Sequence, residues 1–109
     1  MVVDQELDQM LRSAITNKRL LQFKYKGHER IVEPHDYGIQ NGTVRLLCWQ
    51  IGGRSGSRIP GWRIVDIDGM HDFEVLDKHF AGNRDILSGK HHRWDEVFIR
   101  VGPSVSKAS

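Results

Sequence analysis

The chain has 109 residues, 39% hydrophobic and 28% charged, which allows one domain with a modest core and excludes a disordered polymer. No apolar run reaches membrane-span length, Met1-Val2-Val3-Asp4 lacks the regions of a signal peptide, and the single Cys48 can form no internal disulfide. The expectation is a cytoplasmic protein with no membrane partner. The net charge of +2 hides an asymmetry: residues 18–63 carry nine Lys/Arg against three acids, a balance of +6, while residues 64–83 carry five acids against Lys78, a balance of −4. That distribution points to an anionic partner at the middle of the chain, or to a solvated face with compensating charge nearby.

Asp4 stands where a cap would open a helix running to about Asn17, with Leu7, Met10, Leu11, Ala14 and Ile15 on one face. So short a helix needs a sheet or barrel end to pack on. Leu21, Phe23 and Tyr25 then alternate with Gln22, Lys24 and Lys26, the pattern of a half-buried strand. Lys26-Gly27-His28-Glu29 predicts a hairpin into a second strand at Arg30–Val32, which must end, bend or lie at an edge at Pro34. Asn41-Gly42 is the strongest hairpin signal in the chain.

The third strand, Thr43–Ile51, places Val44, Leu46 and Cys48 on one face and Arg45, Leu47, Trp49 and Ile51 on the other. Both faces are largely apolar, so the second must be covered by the helix, the tail or another subunit. Arg45 interrupts it, which suits a ligand-facing site or a pairing with an acid. A Gly52–Ser57 loop leads to a fourth strand around Trp62–Ile67, and Asp68-Gly69 turns into a fifth containing Phe73-Glu74-Val75. Residues 81–92 read as a linker, Glu96–Val101 as one possible further strand, and Pro103–Ser109 as a disordered tail. The expected fold is mostly β: an N-terminal helix and a small five-stranded barrel over residues 1–80, with 81–109 as an extension.

Arg30, Arg45, Arg58 and Arg63 recur on or beside the strands, and guanidinium forks match phosphate oxygens bidentately. Tyr37, Trp49 and Trp62 could stack on bases, or simply pack in the core. Arg54 sits in Gly52-Gly53-Arg54-Ser55-Gly56-Ser57, a loop whose N–H groups could cradle a phosphate, although it lacks the Gly-Lys-Ser/Thr ending of a Walker A motif. Six histidines show neither helical metal spacing nor a Cys-x-x-Cys partner, so no metal is expected. Cys48, in mid-strand, reads as a small hydrophobe rather than a nucleophile.

Ala14-Ile15, Phe23-Lys24-Tyr25, Arg30-Ile31-Val32-Glu33-Pro34, Leu46 with Trp49, and Arg58 through Arg63-Ile64 together resemble the WYL domain, over roughly residues 8–80. The Trp-Tyr-Leu signature falls on Val44-Arg45-Leu46, so only the leucine is retained, and the Arg58–Arg63 spacing is a residue short of the usual form. The resemblance implies an Sm-like or SH3-like barrel behind a helix, found in bacterial transcriptional regulators and CRISPR-linked proteins, where it senses ligands, often nucleic acid. With only about nineteen residues before the first strand there is no room for a preceding helix-turn-helix, so a free-standing WYL-like module is expected. The resemblance also places His35 near the ligand.

The functional expectation is a non-enzymatic, ligand-sensing or regulatory module. Its ligand would be single-stranded nucleic acid or a nucleotide, met by Arg30, His35, Tyr37, Arg45, Arg54, Arg58, Trp62 and Arg63, with no cofactor. A structural adaptor, in which the two-sided strand 43–51 drives homo-oligomerisation or docks a regulatory protein, is the alternative. A hydrolase using Cys48 or a histidine is the weaker third.

Overall fold

The structure, a computed structural model, describes residues 4–54, 59–84 and 94–103. Helix α1 (Gln5–Thr16) opens at Asp4, whose Oδ1 accepts hydrogen bonds from the N–H groups of Glu6 (2.8 Å) and Leu7 (3.2 Å). Its buried stripe, Leu7, Leu11, Ala14 and Ile15, packs on the sheet. Among the described residues no helix is long and apolar enough to cross a membrane.

Six strands follow: β1 (Arg19–Tyr25), β2 (His28–Gln40), β3 (Thr43–Gly53), β4 (Gly61–Asp66), β5 (His71–His79) and β6 (Glu96–Arg100). All pairings are antiparallel, in the order β4-β3-β2-β1-β5, with β6 on β2. The N-terminal helix and mostly-β architecture are as expected, but among the described residues the strands number six rather than five and form an open sheet. There is a sixth strand, from the Val97/Ile99 alternation, and among the described residues no β4–β5 pairing closes the sheet. A 3-10 turn, Ile67–Gly69, carries the chain from β4 to the free edge of β1 instead of folding it back as a hairpin.

β2 organises the rest. Its first part pairs with β1 up to Leu21↔Val32, and its last part pairs with β6 from Asp36↔Arg100 onward. Pro34, which brings no N–H to a ladder, falls in the gap between these two neighbours. There β2 also bulges against β3, the register slipping from Pro34↔Cys48 to Asp36↔Leu47 and leaving His35 as the extra residue. The strand therefore bends at Pro34 rather than ending. Gly38 permits the close approach of β6, since a Cβ there would strike the Glu96 carbonyl. Asn41 and Gly42 both take positive φ (51° and 77°), as the two-residue hairpin between β2 and β3 requires.

The core lies between the inward face of the bent sheet and α1. Leu7, Leu11 and Ile15 meet Phe23, Val32, Tyr37, Val44, Leu46, Cys48 and Val65 there. Val101, just beyond β6, joins the same core, and its N–H donates to the His35 carbonyl (2.8 Å), so residues 94–103 pack on the body of the domain.

Candidate functional site

Alternation along β2 sends Arg30 and Val32 inward, and Ile31 and Glu33 to the outer face. Within residues 30–33 each face acquires one buried charge, and Asp36, further along β2, is a third.

On the outer face Glu33 is buried and held by Arg84, with Nε to Oε1 at 2.7 Å and Nη2 to Oε2 at 2.9 Å. This bidentate hydrogen bonding raises the Arg84 pKa, against an opposing effect of burial. The Arg84 guanidinium also lies over Trp49, 4.8 Å from the ring centroid, and Trp49 meets Trp62 edge-on at 5.2 Å. His35, buried in the bulge, contacts Trp62 edge-on and stacks on Phe80. The Arg84 N–H donates to His35 Nε2 (3.3 Å), so the proton of the neutral ring sits on Nδ1 and is donated to the Glu33 carbonyl (2.8 Å). Burial lowers the His35 pKa, outweighing the nearby Glu33 and Asp36. Both ring nitrogens are occupied, and this constellation fastens the chain at residues 80–84 to the sheet.

The inward face at the other end of the sheet differs. Arg30 is 6% exposed, and its buried Nε has no hydrogen-bond partner among the described residues. Among the described residues no carboxylate pairs with it. Its guanidinium lies over the Tyr25 ring at 5.2 Å, whose other close cation is Lys26 at 5.6 Å. Burial lowers the Arg30 pKa and the neighbouring Arg63 lowers it further, yet a guanidinium stays charged at neutral pH. Register places Arg63 opposite Cys48, and Gln50 opposite Val32. Gln50 is fully buried; its Nε2 donates to the carbonyls of Gly52 and Arg54 (both 3.0 Å), which fixes the amide, and its Oε1 meets no donor among the described residues. Cys48 is fully buried and burial pushes its thiol up to about 12, so it is protonated at neutral pH and is no nucleophile there.

The eight sequence-predicted residues are thus divided. Arg30 and Arg63 come together on the inward face, with Arg63 half-buried and its Nη1 donating to the Trp62 carbonyl (2.7 Å). Arg54 is exposed at the end of β3, where its N–H donates to the Glu29 carbonyl (2.7 Å). Arg45 pairs with Asp66 (2.9 Å) and Gln40 (3.2 Å), the acid-pairing option. Tyr37 is fully buried, its hydroxyl donating to Asp8 (2.6 Å), and burial with that hydrogen bond raises its pKa. Trp62 and His35 lie in the outer cluster, and Arg58 lies outside the described residues. Among the described residues no group of His, Cys, Asp and Glu is arranged to hold a metal.

Sequence reasoning passed over Gln50 and Arg84. Gln50 could have been found: it is a polar residue in the buried phase of Val44, Leu46 and Cys48. Arg84 had no local signal, since its partner Glu33 is 51 residues away.

No protein-family model matches this chain, and no curated protein and no solved structure matches it.

Proposed function

We propose that the chain is a WYL-like, ligand-sensing or regulatory binding module whose inward-facing arginines take an anionic ligand of the nucleic-acid or nucleotide type. One observation carries this reading: Arg30, a buried guanidinium with no acid partner among the described residues, whereas the buried charges at Glu33 and Asp36 are paired. Leaving such a cation unpaired costs several kcal/mol, roughly 3–5 where a buried pair is broken, which an arriving anion offsets. Arg63 and Arg54 extend the positive field to the end of β3 and β4. The Sm-like or SH3-like barrel belongs to the same proposal, supported by the bend of β2 and by its pairing with β1 and then β6 along one edge.

The adaptor reading is favoured by a different observation. Leu20, Ile31, Ile51 and Leu76 line an outer cavity of about 590 Å³, and Ile51 is 38% exposed. A single experiment separates the two. Fluorescence anisotropy with a short single-stranded oligonucleotide should show affinity falling with salt, each phosphate contact contributing roughly −0.7 to the log–log slope. Arg30→Gln should lower that affinity by about tenfold or more, the worth of one shielded charge-assisted contact. No binding, together with a particle mass that rises with concentration in light scattering, would favour the adaptor.

A further inference from the structure

Resting on the reading above, we infer that the inward site takes one terminal phosphate of a compact phosphomonoester, such as a nucleoside 5′-monophosphate, and not the internal phosphates of a strand. Arg30 receives a phosphate oxygen, and Gln50 accepts a hydrogen bond from a hydroxyl, amine or protonated phosphate oxygen of the same ligand.

Three observations converge on this. The first is a pair drawn from the four buried side-chain atoms that lack partners among the described residues, the others being Gln40 Nε2 and Trp94 Nε1: a donor, Arg30 Nε–H, and an acceptor, Gln50 Oε1, both on the inward face of neighbouring strands. An anion alone answers only the donor. A ligand with an anionic oxygen and a proton to donate answers both, and a phosphomonoester, whose second pKa is near 6, carries its own proton part of the time. The Gln50 amide cannot rotate to meet an acceptor instead, because its NH2 is held by two backbone carbonyls.

The second is that, among the described residues, no aromatic ring beside the inward site offers an open stacking face; the partly buried Trp49 lies on the outer face, under Arg84. A strand is held by successive bases on exposed aromatic faces. Here Trp62 and Tyr37 are buried, and Tyr25 is flanked by Arg30 and Lys26. The third is the engagement of the arginines that a strand would follow. Arg19 is paired with Asp77, Arg45 with Asp66, Arg84 with Glu33 and Arg100 with Asp36. Those four guanidinium groups already answer carboxylates; at the inward end of the sheet Arg63 and the exposed Arg54 accompany Arg30, which, almost closed off, suits a group that enters end-on.

The deciding measurement uses the unaltered protein and four probes: inorganic phosphate, adenosine 5′-monophosphate, and one oligonucleotide with either a 5′-phosphate or a 5′-hydroxyl. The expected result is that the 5′-phosphorylated oligonucleotide binds at least tenfold more tightly than its 5′-hydroxyl twin. The monophosphate should compete for it. Arg30→Gln should abolish that preference, and Gln50→Met should narrow the gap between adenosine monophosphate and inorganic phosphate; circular dichroism confirms that each variant is folded. Equal, salt-dependent binding of the two oligonucleotides would overturn this inference and leave the proposed nucleic-acid binding standing. Failure of every probe to bind would overturn both, making the stack of Arg30 on Tyr25 purely structural.

Discussion

Arg30 and Glu33 stand three positions apart on one strand, both buried, on opposite faces of the sheet. Glu33 is grasped at both oxygens by Arg84, and the histidine beside it has both nitrogens engaged. Arg30 has a ring beneath it, a second arginine nearby and, among the described residues, no acid partner. The two positions show how differently buried charge can be used. Where every donor and acceptor is met, the network fixes the path of the chain, as Arg84 fixes residues 80–84 against β2. Where donor and acceptor are left unmet on one face, the fold bears a cost that a ligand can remove.

The strongest way to break this comparison is at Glu33. Glu33→Gln keeps the shape but removes the charge that Arg84 holds, and should lower the unfolding free energy by about 1.5–3 kcal/mol, the range for hydrogen bonds to charged groups. The midpoint of urea unfolding, at constant m-value, measures it. A shift near zero would mean that Arg84, partly exposed, finds water as good a partner.

Arg30→Met should behave in the opposite sense. A flexible apolar side chain of similar length can still lie on Tyr25, and replacing buried charge by well-packed apolar groups is often neutral or stabilising, by about 1–4 kcal/mol. The expected midpoint is therefore unchanged or raised, while the proposed anion binding should be lost. A fall of several kcal/mol would assign Arg30 to the structural class with Glu33.

The smallest effect is the pH dependence set by His35. Burial holds its folded pKa below the ordinary value of 6.5, so the unfolded chain takes up the proton first. Its contribution to stability is complete above about pH 6.5 and is lost as pH falls from there toward the folded pKa. Protonation would also turn Nε2 from acceptor to donor and repel the Arg84 N–H. Thermal unfolding should therefore show a melting temperature that declines between pH 7.5 and 5.5, by the order of a few degrees or less for a single group. In His35→Gln that decline should flatten. An unaltered decline would place the titrating group elsewhere.

Local rules in the sequence were enough to specify most of the elements. Asp4 as cap, the Leu7/Leu11/Ile15 stripe, the Leu21/Phe23/Tyr25 alternation and the Asn41-Gly42 turn act over a few residues, and each is found where those rules place it. The inward phase of β3 was equally legible, with Val44, Leu46 and Cys48 all buried. What tertiary structure alone decided is which charges meet. Arg45 finds Asp66 across the β3–β4 ladder, and Glu33 finds Arg84 some fifty residues on. Composition counts Arg30, Arg45 and Arg84 alike, because each contributes one positive charge to any tally. Only the folded chain distinguishes them: pairing depends on long-range register and on the face to which each side chain is turned, and neither is written in the neighbouring residues.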